Sequence, residues 1–322
     1  MHLHLRLAAV LGCAATLGMA GCASNGAITP MAGTSQPQAQ RAVAPPRFDT
    51  GWIQKDGVLY HVPHYMATRQ TAQRQGRVKN DILLYYGNGP VLTAPKVYLI
   101  FWGFKAFGDP DKVAKLLKLY SKNMGGSGHN NIYTQYYEKS GGNTIYITNP
   151  TTQLGGVLDD ETNGVPTHPS DSQIAAEALY GVQKLGYDAN GSYVVATPTG
   201  HSTIGFGTSW CAYHGATTYQ GQLVSYTNLP YMPDAGGSCG AGFIQPPKGE
   251  SSIDEGVTIV EGHEYGESVT DPNPGSGWYN NSYGEIGDIC VWQNVQNDPF
   301  GKKSYSSQPM FSNATQSCVH SY

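Results

Sequence analysis

His263 and Glu267 stand four residues apart in the run Ser252–Thr270, SIDEGVTIVEGHEYGESVT. On a helix that spacing puts an imidazole and a carboxylate on one face, about 6 Å apart, close enough to hold one ion. Glu264 lies about 100° round the same helix, beside the ion and free to take a proton from an attacking water. The pattern H-E-x-x-E therefore points to a metal-dependent hydrolase, with Zn²⁺ as the expected ion. The bland alternative is a set of solvated charges on an exposed helix face. Gly262 and Gly266 argue against it. Two glycines one turn apart cost about 1 kcal/mol each in a helix interior, which suggests close approach of another segment or of a ligand.

A third ligand must come from elsewhere. Asp271 lies about 12 Å along the axis from His263, so a loop or supporting contact suits it better than the same ion. Downstream, Glu285 and Asp288 stand three apart just before Cys290. Glu285 is the first choice as ligand and Asp288 as the partner that orients His263, and the reverse assignment stays open. His214, three residues after Cys211, is a further candidate, either as a ligand or to steady a transition-state oxyanion. His61, His64, His129, His168, His201 and His320 carry no comparable context.

The elements that must position these groups read as an α/β domain. Ile82–Tyr86 is strand-like, and Val97–Trp102 is the continuous apolar, β-rich run of a buried strand. Asp109-Pro110 marks a helix start, followed by Val113, Leu116, Leu117 and Tyr120 at helical spacing. Thr144–Thr148 and Tyr193–Ala196 are further strands, and Ser170 with Gln173 forms a capping box opening a second helix. Ser252–Thr270 is the third helix, stopped by Pro272. Alternating strands and helices predict a mixed β-sheet flanked by helices, with the zincin-like helix bearing the metal.

The chain has 322 residues, 13% of them charged, and a net charge of −4. There is no basic run, so nucleic acid is excluded as an expected partner. Arg6, the apolar run Leu7–Leu17 and Met19-Ala20-Gly21-Cys22 read as an export leader over residues 1–21 that resembles a bacterial lipobox. Acylation of Cys22 would be the protein's only membrane attachment. Ordinary cleavage near Ala23 or Ala27 would instead release a secreted protein. The expected location is the bacterial cell envelope, as an outer-membrane lipoprotein, or outside the cell. Residues 22–47, rich in Pro, Ala and Gln, form a tether, 48–80 an N-terminal arm, and 81–322 a single globular domain. Cys211, Cys239, Cys290 and Cys318 remain after the leader, and local economy pairs Cys211 with Cys239 and Cys290 with Cys318.

Several motifs occur in series. Tyr86–Thr93 (YGNGPVLT), Val97–Gly103 (VYLIFWG), Cys211–Gly215, Gly262-His263-Glu264 with Glu267, Gly277-Trp278-Tyr279 and Glu285–Cys290 together resemble the phosphate-induced protein 1, or EXORDIUM-like, family over about residues 81–292. The resemblance implies an extracellular location and groups His214, His263, Glu264, Glu267, Glu285 and Asp288 into one site. It does not specify a reaction. The lipobox-like leader, the tether and the tail after Trp292 depart from that family's pattern.

The leading expectation is thus a zinc peptidase acting on peptide or protein, with Glu264 as base and His214 aiding the oxyanion. One imidazole with two carboxylates neutralises Zn²⁺, which makes a bound water less acidic and also suits harder ions. The alternative is a non-catalytic, metal-stabilised module whose 22 Tyr and 5 Trp serve an extracellular glycan or wall polymer. A metal-free glycosidase is the weakest reading, because sequence gives no carboxylate separation.

Overall fold

Eight strands form one mixed sheet in the computed structural model, which describes residues 51–75 and 82–322. The leader, Cys22 and the tether lie outside the described residues. The strands are β1 (Trp52–Lys55), β2 (Val58–His61), β3 (His64–Ala67), β4 (Lys96–Trp102), β5 (Leu154–Asp160), β6 (Gly191–Ala196), β7 (Trp210–Tyr219) and β8 (Gln222–Leu229). Their order is β1-β2-β7-β8-β6-β4-β5, with β3 also paired to β7. β8, β6, β4 and β5 run parallel, while β7 is antiparallel to β8, β2 and β3. The expected arm is therefore part of the sheet, since β2 and β3 follow one another along the same edge of β7.

Side chains alternate across the sheet as the strand period requires. On β4, Tyr98, Ile100 and Trp102 pack with Ile174, Ala175, Ala178 and Val182 of helix α2 (Asp171–Leu185). Val97, Leu99 and Phe101 face the opposite layer, which holds α1 (Val113–Asn123) and α3 (Glu255–Thr270). The capping box of Ser170 and Gln173 is present at the start of α2. α1 begins at Val113 rather than at Pro110, yet the Asp109 carboxylate still accepts from Val113 N at 2.7 Å and Ala114 N at 3.1 Å.

Two expected strands lie apart from the main sheet. Only Tyr85–Tyr86 of the first run pairs, with Trp278–Tyr279, and Asn143–Tyr146 forms a hairpin with Tyr137–Ser140. The two disulfides join Cys211 to Cys239 and Cys290 to Cys318.

All sixteen residues of α3 are buried. One side meets the sheet, and another meets the strand Lys303–Ser307, where Thr258 Oγ1 donates to Ser306 O at 2.8 Å. The glycines flanking the motif admit protein rather than leave space for a ligand. A Cβ on Gly262 would lie 2.7 Å from Tyr120 Oη of α1, and one on Gly266 would lie 3.0 Å from Tyr133 Oη. A helix enclosed on every side cannot send its polar residues to water, so its His and Glu side chains need partners inside the protein.

Candidate metal centre

α3 supplies His263, Glu264 and Glu267, all with no solvent exposure. The loop beyond it returns Glu285 and Asp288 to the same place, and the disulfide at Cys290 follows directly. Gly284 has φ +85°, and a Cβ there would meet the Asp288 carboxylate. At Gly287 a Cβ would lie 2.7 Å from His263 Nδ1 and 2.9 Å from Glu267 Oε1, so only glycine lets this loop press onto the helix. β7 contributes His214 and β3 contributes His64, which are cross-strand partners in register with ring centroids 5.9 Å apart.

The groups converge on Glu267. Its Oε1 lies 2.9 Å from His263 Nε2 and accepts from Asp288 N at 3.2 Å. Its Oε2 lies 3.4 Å from His214 Nδ1, which is also 3.5 Å from Glu264 Oε2. On its other side, His214 Nε2 is 3.4 Å from Glu285 Oε2 and 3.2 Å from the backbone oxygen of Asp271. His64 Nε2 contacts Asp288 Oδ2 at 2.5 Å, and Asp288 Oδ1 lies 3.7 Å from His263 Nε2. Asp271 plays the loop role expected of it, accepting from the backbone N–H groups of Gly275, Ser276 and Gly277 at 2.6–3.1 Å.

Every ion pair that Glu264, Glu267, Glu285 and Asp288 make among the described residues is with an imidazole, and none is with Lys or Arg. Burial pushes Glu264 and Glu285 well above the usual carboxylate range, and neighbouring carboxylates, Glu267 beside Glu264 and Asp271 beside Glu285, push them further. Burial acts on Glu267 in the same sense, but the rings of His263 and His214 outweigh it and hold its carboxylate well below that range. Burial lowers His214, whereas at His263 the charge of Glu267 overcomes burial and raises the ring. At His64 burial is likewise outweighed, by Asp288, and the imidazole rises to about 10.

The residues present suit a divalent cation. Neither oxygen of Glu264, nor Glu267 Oε2, nor His214 Nδ1 has a well-formed hydrogen-bond partner, although the backbone of Met66 in β3 acts on Glu264 against its burial. Donor atoms of His64, Glu267 and Asp288 lie within 4.8 Å of one another, as do those of His214, Glu264 and Glu267. Imidazole with carboxylate oxygen is a donor set that serves zinc and harder transition ions.

The cluster reaches solvent at one edge. The side chains of His64 and Asp288 are 32% and 17% exposed, and both line a cleft of about 850 Å³ walled by Arg69, Phe243, Tyr283 and Trp292. His64 also borders a second cleft of about 470 Å³, together with Glu285 and Tyr279.

All six residues singled out from the sequence thus meet in one place. Asp288 stands among donors with Glu267 and His64 and also lies 3.7 Å from His263 Nε2, whereas Glu285 lies 3.4 Å from His214 Nε2; Glu285 and His263, both expected as ligands, belong to neither donor set. Glu264 is sealed behind Glu267 instead of facing a cleft. His64 is the residue that spacing missed, because a lone histidine on a four-residue strand gains its context only from pairing with β7. No family model, curated protein or solved structure matches the chain.

Proposed function

We propose that the protein is an extracytoplasmic metal-dependent hydrolase, a zinc peptidase built on the H-E-x-x-E helix and either secreted or held to the envelope by a lipid on Cys22. One observation carries the reading. Four carboxylates with no Lys or Arg partner are gathered around three imidazoles where two clefts meet. Buried carboxylates without a cation are costly, and a cation next to a substrate-sized cleft points to catalysis. The motif series that resembles the EXORDIUM-like family and the two disulfides agree with work outside the cytoplasm.

His64, Glu267 and Asp288 would hold the ion at the mouth of the cleft, with His263, 2.9 Å from Glu267 Oε1, fixing that carboxylate. A divalent ion in such a set polarises a scissile carbonyl and acidifies water. Glu285, on the wall of the second cleft, is the carboxylate left to take the proton from water and return it to the leaving amine, whereas Glu264, the base expected from the motif, is sealed from both clefts. His214, between them, keeps both in place. A non-catalytic, metal-stabilised module is the second reading, favoured by the enclosure of all donors except His64 and Asp288.

Assay of the full chain on a broad peptide library, with zinc supplied, separates the two. The peptidase should hydrolyse at least one member, with loss of about 10²-fold or more when its proton acceptor is replaced by Gln. A metal-loaded chain inert towards every member would favour the module.

A further inference from the structure

We infer that the centre binds two divalent cations bridged by the carboxylate of Glu267, an outer one on His64 and Asp288 and an inner one on His214 and Glu264. The inference rests on the reading of the cluster as a metal centre and deepens it. Two separate sets of three donors each converge within 4.8 Å, and Glu267 alone belongs to both. Its two oxygens serve different sides, Oε1 next to His263 and the Asp288 backbone, and Oε2 next to His214.

The inner set is hard to explain without an ion. His214 Nδ1, Glu264 Oε2 and Glu267 Oε2 are sealed from solvent and lack well-formed hydrogen bonds. His214 Nδ1 stands 3.4 and 3.5 Å from the two carboxylate oxygens, longer than a charge-assisted hydrogen bond. Ligands on a tetrahedral ion with bonds of about 2.1 Å are about 3.4 Å apart, so His214 Nδ1 already stands at that separation from both carboxylate oxygens.

Charge is compatible with the pair. Within the cluster, Glu264, Glu267, Glu285 and Asp288 meet three imidazoles and no Lys or Arg, so two divalent cations could be accommodated without leaving an excess of positive charge. A pair of ions would also answer the difficulty of an oxygen-rich site, since two cations could share the attacking water and the carbonyl oxygen of the scissile bond, while the amine nitrogen leaves with a proton. Glu264 then becomes a ligand, and Glu285, on the wall of the second cleft and 3.7 Å from His64 Nδ1, becomes the proton acceptor.

The test is metal stoichiometry. The full chain is stripped with chelator, titrated with zinc alone and read by native mass spectrometry, beside Glu264→Gln and Glu267→Gln. Two zinc ions per wild-type chain are expected, one in Glu264→Gln and none in Glu267→Gln. A single ion in wild type, or two retained by Glu264→Gln, overturns the inference and leaves the metal-dependent hydrolase standing. No ion in wild type overturns both. Should Glu264→Gln fail to fold, Mn²⁺ loaded into wild type decides. A spin-coupled pair in its paramagnetic resonance spectrum supports the bridge, and an isolated-ion spectrum refutes it.

Discussion

α2 and α3 lie on opposite faces of one sheet, and each buries glutamate. In α2 one oxygen of the glutamate is partnered locally. Glu177 accepts from Asn163 Nδ2 at 3.3 Å beside Asp160, whose carboxylate accepts from Thr162 N at 2.9 Å and Asn163 N at 3.3 Å. The helix keeps an exposed side, an apolar stripe and a capping box. α3 has no exposed side, and its Glu264 lacks a well-formed hydrogen bond. A buried carboxylate is therefore not in itself a functional mark. What distinguishes α3 is that several carboxylates share a few imidazoles and no Lys or Arg, at the junction of two clefts.

The sharpest way to break the contrast is to remove one carboxylate from each helix. Glu267→Gln should abolish metal retention and lower hydrolysis by more than about 10²-fold. Thermal denaturation with zinc present should show it about 3 kcal/mol less stable than wild type, the linkage expected at roughly 100 times Kd of free ion. Metal content and peptide turnover in Glu177→Gln should match wild type.

Backbone approach offers a second contrast. A Cβ on Gly256 of α3 would lie 2.0 Å from the backbone oxygen of Cys239, while one on Gly181 of α2 would lie 2.1 Å from Ile100 Cδ1. The carbonyl cannot move aside, so Gly256→Ala should cost about 2–3 kcal/mol in urea unfolding. The isoleucine methyl can rotate, and the helix gains about 1 kcal/mol from alanine, so Gly181→Ala should stay within about 1 kcal/mol of wild type. Equal losses would remove the distinction.

The proton on Glu177 gives a smaller effect. Burial, then the charge of Asp160, raises this carboxyl from 4.5 to about 9 in the folded state. The folded chain therefore holds a proton that the unfolded chain has released, and stability contributed at this group is lost as pH rises from about 4.5 to about 9. The melting temperature of Glu177→Gln should fall less over that window than that of wild type. Parallel profiles would refute the shift. Ser170→Ala should have the least effect, about 1 kcal/mol of stability from the lost cap, with no change in bound metal.

Much of this was legible in the residues because it depended on local spacing. The cap at Ser170, the apolar period of α1 and the alternation of β4 follow from neighbours in sequence. So does the pairing of cysteines by short loops. The strands β7 and β8 were not legible, since Trp210–Tyr219 mixes His, Gly and Thr into a strand buried on both faces as far as Thr217. Their turn uses Gln220 at φ +50° before Gly221 at φ +78°, where Asn-Gly would have signalled the hairpin. Within the site, the i, i+4 pair was visible and His64 was not. Its role comes from lying opposite His214 across a strand pair, a relation that only the folded sheet creates.

The central claim is that the unpaired donors around Glu267 form a metal centre. Elemental analysis of the full chain, purified without chelator and again after zinc is restored to stripped protein, tests it most directly. The account predicts divalent metal bound in stoichiometric amount in wild type and none in Glu267→Gln. A folded wild-type chain that stays metal-free after zinc is supplied would contradict it.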